Sequence, residues 1–443
     1  MKIKGLLLSV LFLFVMFSGA NAQKQHIDFE EFDLDNGLHV ILQQDHTTPN
    51  ILISVMYHVG SKNENPNLTG FAHFFEHLMF EGTKNIPRHQ YDKYVSRAGG
   101  ELNASTSVDR TYYYEMLPSN QLALGLWLES ERMLHAKVEP IGIKTQKDVV
   151  IQEKKQRHDN PPYGTFLSQT FSHAYEKHPY RWVTIGNEEH IRNAKDEDYV
   201  NFYKEFYVPN NAVLTICGDF EKEEAKELIG KYFAEIPKGT HEIYRPQVIE
   251  PEKTKEVRDT VYDNIQLPAV IQAYHIPALG TPDFYAVDML STLLTDGKSS
   301  RLHKKLVDEQ QLALQLFAFP MPYEHPGLTL AFGIPNKDIE PKDMEESMNE
   351  EFVKVQNELI SEREFQKLRN KMENRLVSSN STIARRAENL ATAYTYFKDT
   401  QRVNQELDKY MAVTREDIQR VAQKYFRPEN RVVLYYLPKS KAN

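Results

Sequence analysis

His73-Phe74-Phe75-Glu76-His77 carries two imidazoles four positions apart and a carboxylate next to the second. On a helix, residues at i and i+4 stand one turn apart on a single face. Two imidazoles so placed can share one Zn²⁺, and the glutamate beside them can reach a water that the metal activates. The order H-x-x-E-H inverts the commoner H-E-x-x-H and serves the same hydrolytic chemistry. A catalytic zinc site takes three protein ligands and keeps one position open, so a third donor must come from elsewhere.

Many acids could supply that donor, and one segment stands out. Lys147-Asp148-Val149-Val150-Ile151-Gln152-Glu153-Lys154 reads as a helix whose valines point to a core, with Glu153 following Val149 and Val150 on that face. A carboxylate turned inward needs a positive partner, and a metal ion is one. The histidine helix is expected to start at Thr69 as N-cap, run to about Glu81 and close at Gly82. Phe71, Phe74, Phe75 and Leu78 give it apolar faces, whose exclusion of water strengthens metal–ligand attraction.

The elements that must position these groups fall into two halves. A helix, Phe206-Tyr207-Val208-Pro209-Asn210-Asn211 and a strand occupy Tyr199 to Leu214. The same succession, around Tyr425-Phe426-Arg427-Pro428-Glu429-Asn430, occupies Ile418 to Leu434. Leu38 to Leu42 and Ile51 to His58 read as strands flanking a turn. Gln121 to Leu134 and Gly142 to Arg157 read as helices, the second stopped by Asp159-Asn160-Pro161-Pro162. Mixed strands and helices with hairpin-like pairs predict an α+β fold of two structurally similar domains, each a mostly antiparallel sheet packed with helices. The expected division is 1–22 signal peptide, 23–240 metal-binding catalytic domain, 241–256 linker and 257–443 non-catalytic homologous domain. The polar, proline-bearing stretch from Pro237 to Glu256 marks the boundary.

Hydrophobic residues make up 41% of the 443, enough for sizeable cores, and the formal net charge is -9. With no long basic run, nucleic-acid binding is excluded and adsorption to an anionic membrane disfavoured. Lys2 and Lys4, the apolar run Leu6 to Phe17 and an A-x-A ending at Ala22 read as a cleaved signal, with no stable membrane anchor after it. The expectation is an exported protein, periplasmic or secreted. The single cysteine, Cys217, lies in an apolar strand-like run and reads as core. The runs Glu221 to Glu227 and Lys342 to Glu351 read as solvated helix faces. His58, His89, His135, His158, His173 and His178 read as packed or surface residues.

H-x-x-E-H is the mark of the inverzincin peptidases. With the Glu153 segment, it resembles the insulinase/pitrilysin family, in its short-chain branch related to mitochondrial processing peptidase. Gly99-Gly100-Glu101-Leu102-Asn103-Ala104-Ser105-Thr106, Thr111-Tyr112-Tyr113-Tyr114, His178-Pro179-Tyr180 and Gly186 agree with it, as does Asp159 to Gly164. The resemblance implies a zinc-dependent endopeptidase acting on short or unfolded peptides. His73, His77 and Glu153 would hold one Zn²⁺ per chain, and Glu76 would be the general base. Asn103 and Ala104 would pair with substrate backbone on an edge strand. Tyr112 belongs either to a strand with an aromatic face or to a substrate contact. Gln146, seven positions before Glu153, stands where the family often has a second glutamate beside the ligands.

The second half has no H-x-x-E-H. Many relatives carry there an arginine and, seven residues on, a tyrosine that help bind substrate. Aligned on Leu306 and Leu312-Ala313, after a family-like Gly297 to Leu302, those places hold Val307 and Leu314. In some bacterial relatives two chains divide the work, and this chain resembles the zinc-bearing one. The expected partner is a homologous non-zinc subunit in a heterodimer. The competing expectation is a non-catalytic binding or scaffold subunit.

Overall fold

The computed structural model describes residues 26–439. The expected signal segment, 1–22, lies outside them. In chain order, the first half contains β1 (Glu30–Asp33), β2 (His39–Gln44), β3 (Asn50–Tyr57), α1 (Phe71–Leu78), α2 (Tyr91–Arg97), β4 (Glu101–Thr106), β5 (Thr111–Pro118), α3 (Leu122–His135) and α4 (Pro140–Lys154). It continues through α5 (Phe166–Ala174), α6 (Glu188–Asn193), α7 (Asp196–Phe206), β6 (Ala212–Gly218) and α8 (Lys222–Phe233). The second half contains β7 (Val257–Asp263), β8 (Ala269–His275), α9 (Pro282–Thr295), β9 (Ala313–Met321), β10 (Leu328–Pro335) and α10 (Pro341–Asn357). After these come α11 (Glu362–Ser379), α12 (Ile383–Phe397), α13 (Arg402–Met411), α14 (Arg415–Tyr425) and β11 (Arg431–Pro438).

The sheets run β1-β2-β6-β3-β5-β4 and β7-β11-β8-β10-β9. In each, the last strand of the half inserts between earlier ones, parallel to one neighbour and antiparallel to the other. The remaining pairs are antiparallel. Stripped of β1, the two orders are the same, so the fold is α+β with two similar halves. The sequence echo has a local cause. Asn211 donates its side-chain N–H to the Phe206 carbonyl (2.8 Å), and Asn430 does the same to Tyr425 (2.7 Å). Both bonds fix a short proline-led turn between a helix and a buried strand.

One expectation needs correcting. β2 and β3 are not a hairpin, because β6 lies between them. A parallel neighbour more than 150 residues away leaves no trace in the local pattern.

The halves hold each other by exchange. From the first half, α5 lays Phe171 and Ala174 on the second sheet, against Ile271, Ala273, Leu434 and Tyr436. From the second half, α12 lays Ala387, Leu390 and Ala391 on the first sheet, against Ile41, Leu52, Met56, Val213 and Cys217. Both contacts are buried and apolar, the kind that excludes water at about 25 cal/mol per Å² of surface covered. The free thiol of Cys217 is buried there, as expected of a core cysteine. The reading of Lys342 to Glu351 as solvated fails in part. Glu345 and Glu351 are buried on α10, where Arg258 and Tyr435 meet the first and Lys305 and Lys354 the second.

Candidate active site

The histidine helix is shorter than expected and begins differently. Thr69 does not cap it; α1 starts after Gly70, whose φ of 98° is a left-handed conformation suited to glycine. The caps come from Glu64, whose carboxylate accepts the N–H of Gly70 (2.9 Å) and Ala72 (2.8 Å). Thr69 instead faces His190, with 2.9 Å between Oγ1 and Nδ1. A β-carbon on Gly186 would lie 2.3 Å from the Gly70 α-carbon, so this glycine lets the following loop close over the start of α1. The helix ends at Leu78. Phe71, Phe74, Phe75 and Leu78 are all buried in the first core, which fixes the face that His73 and His77 present.

Glu153 arrives from the last turn of α4. Val150 anchors that helix in the core, but Val149 is exposed, so only one of the two expected valines faces inward. Oε2 of Glu153 lies 3.0 Å from His77 Nε2 and 3.6 Å from His73 Nε2. One donor atom from each of the three residues lies within 4.8 Å of the others. Ligands about 2.1 Å from a tetrahedral zinc stand roughly 3.4 Å apart, so this donor set fits that ion. Arg157 holds the second oxygen of Glu153 (2.8 Å) from a π turn, Lys155–Asp159, that follows α4 directly. Burial, and then the neighbouring His77, pull the His73 imidazole down to about 4. It is therefore neutral near pH 7, the form that binds metal.

Glu76 accepts a hydrogen bond from the Thr106 hydroxyl (2.6 Å), at the end of β4. Burial raises its carboxyl above the usual range, and the Thr106 bond pulls the other way. β4 is the edge of the first sheet, so one side of its backbone has no strand partner. The Ala104 N–H donates to Oδ1 of Asn103 (2.8 Å). An acceptor on its own neighbour's side chain places this N–H on the open side of the strand.

Two expected site residues have other neighbours than the three donors. Tyr112 is buried on β5, and strand alternation turns it away from α1, toward α12. Its neighbour Tyr113 faces α1 instead, donating its hydroxyl to the Phe75 carbonyl (3.1 Å). Tyr112 therefore does not face Glu76, but it lines a cavity together with Asn103 and Ala104 of the edge strand. Gln146 donates to Glu81 (2.7 Å), which also pairs with Arg88 (2.6 Å), so the amide braces α4 against the segment after α1; among the described residues it makes no hydrogen bond to His73, His77 or Glu153. Val307 packs on the second core and Leu314 is exposed on β9. Thr106, Arg157 and Glu64 had no assigned role in the sequence reading. Only the spacing of Arg157, i+4 from Glu153 on a helical pattern, offered a signal.

Residues 39–186 match the family model described as Insulinase (Peptidase family M16), and residues 194–372 match that of the Peptidase M16 inactive domain. The chain is 31% identical to "Zinc protease PqqE" of Helicobacter pylori over 99% of both chains. Its fold superposes on the crystal structure of a protease from Helicobacter pylori with a TM-score of 0.90, at 30% identity, covering 94% of this chain and 100% of that one. It also resembles the periplasmic protease PqqL of Escherichia coli (TM-score 0.76, 18% identity), covering 95% of this chain but 49% of that one. The chain belongs to the insulinase family, peptidase family M16.

Proposed function

We propose that this chain is a zinc endopeptidase that cleaves short or unfolded peptides. His73, His77 and Glu153 would hold one Zn²⁺ per chain and Glu76 would act as general base. The reading is carried by the convergence of those three donors within 4.8 Å, beside a glutamate hydrogen-bonded to an open sheet edge. When bound, the ion supplies Lewis acidity, lowering the pKa of a water and polarising a carbonyl. Glu76 takes a proton from the attacking water and returns it to the leaving amine. Asn103 and Ala104 on β4 receive the substrate as an added strand, which fixes its backbone and reads little of its sequence.

We read 23–240 as the catalytic domain, 241–256 as the linker and 257–443 as its non-catalytic counterpart. With Val307 and Leu314 where a hydrogen-bonding pair would serve substrate, the chain works with a homologous non-zinc subunit. PqqL, about twice as long, is the likeness that supports pairing of two such units. Export to a periplasm accords with the sequence signal, and no helix among the described residues is long and apolar enough to cross a membrane. A scaffold role is the second reading, favoured by the "inactive domain" match over 194–372. Peptide cleavage that a chelator abolishes and zinc restores, and that Glu76→Gln removes with zinc still bound, supports the enzyme. No cleavage by the chain alone or with its homologous partner supports the scaffold.

A further inference from the structure

A polar cavity of about 490 Å³ lies where both halves and the segment between them meet. Its walls include His39, His58 and Lys62 from the first half, Arg245 and Gln247 from the connecting segment, and Glu324, Tyr394 and Lys398 from the second. Several of its charged groups are already engaged. Glu324 is taken by His58 (2.8 Å) and Lys62, Lys62 also by Asp109 (2.9 Å), and His39 by Asp33 (2.8 Å) and Glu31 (3.3 Å).

Two cations, Arg245 and Lys398, form no ion pair with a carboxylate among the described residues. Among the described residues Arg245 donates to neutral acceptors alone, the His58 carbonyl (2.8 Å) and the Asn211 side chain. Lys398 has no carboxylate partner among the described residues, and its ammonium lies over the Tyr394 ring, 4.6 Å from the centroid. Burial depresses both cations, the charge of Arg245 depresses Lys398 further, and the Glu324 carboxylate acts on both in the opposite sense without reversing the shift. Two partly desolvated positive charges lining one cavity carry a cost that a further anion bound there would offset. Lys398 also ends α12 with φ 54°, a left-handed position normally given to glycine. A lysine there costs backbone strain that glycine would avoid. On the same wall, the buried Thr395 hydroxyl has no hydrogen-bond partner among the described residues.

We propose that this cavity is a binding site for a small multivalent anion, held between Arg245 and Lys398 and lying across both halves of the chain. The ligand chemistry is a compact group with two or more negative charges, either a phosphate or a polycarboxylate. Such a ligand bridges the linker to α12 and so stabilises the packed arrangement of the halves. The inference is independent of the zinc reading, since none of its residues belongs to the metal cluster.

Calorimetric titration of the full chain with inorganic phosphate, and separately with tricarballylate, tests it and distinguishes the two sources. The expected result is one site per chain for at least one probe, kept after zinc is removed by a chelator and dialysis. Arg245→Gln and Lys398→Gln should each weaken it about tenfold or more, the loss of one charge-assisted contact. Lys398→Gly is the decisive variant, because it relieves the backbone: it should keep or raise the melting temperature without anion and still lose the binding. No binding of either probe at millimolar concentration, or binding unchanged in both glutamine variants, overturns the proposal.

Discussion

The Thr106 hydroxyl donates to Glu76 Oε2 over 2.6 Å, tying the histidine helix to the open edge of the first sheet. The carboxylate that would move the proton and the strand that would receive the peptide are thereby set against each other. Thr106→Val removes that bond without changing side-chain shape. It should lower kcat by about ten- to a hundredfold, the value of a hydrogen bond to a charged group, with zinc content unchanged. Thr106→Ser should restore most of it. An unchanged kcat in the valine variant contradicts the positioning role.

Ala104→Pro tests the edge itself. Its N–H sits on the open side of β4, bound to Asn103 Oδ1, so proline removes a donor there while leaving the ladder to β5 in place. kcat/KM for a peptide should fall by about tenfold, the value of one backbone hydrogen bond, with the melting temperature little altered. Equal kcat/KM in the two proteins would mean that substrate does not add to this strand.

Glu324 joins the halves by meeting His58 and Lys62. Burial would raise its carboxyl, but the bond to His58 and the charge of Lys62 outweigh that and hold it at about 2, below the usual 4.5. A depressed carboxylate contributes stability that is present above the unfolded pKa and lost as pH falls through the folded one. Glu324→Gln should cost about 1–3 kcal/mol near neutral pH, and the gap to the parent should close between pH 4.5 and about 2. Denaturant midpoints across that range would show it. A gap independent of pH would place the effect in packing rather than charge.

Burial pushes the Cys217 thiol up to about 12, and the residue lies under α12. A thiol reagent should therefore modify it only as fast as the halves separate or the chain unfolds. Rapid stoichiometric labelling of the native protein would contradict the exchanged-helix packing.

Much of the site was legible from spacing alone. His73 and His77 share a face because four residues make one helical turn, and the phenylalanines around them say which way that face looks. Glu153 was legible through Val150, its neighbour on α4, although Val149 points outward. Other features were not readable from local pattern. Both Tyr112 and Tyr113 are buried because β5 is covered on its two faces, so polarity gives no sign of which one faces α1. The cap from Glu64, the bond from Thr106 and the insertion of β6 between β2 and β3 all depend on contacts distant in sequence. Glu345 reads as one more charge on a helix face until Arg258 on β7 is brought against it.

The central claim is that one ion is shared by His73, His77 and Glu153. Anomalous diffraction at the zinc edge, from crystals of the metal-loaded chain, tests it most directly. The account predicts one peak per chain, about 2.0–2.2 Å from an imidazole nitrogen of each histidine and a carboxylate oxygen of Glu153. A metal bound elsewhere, or one coordinated by the two histidines with Glu153 turned away, would contradict it.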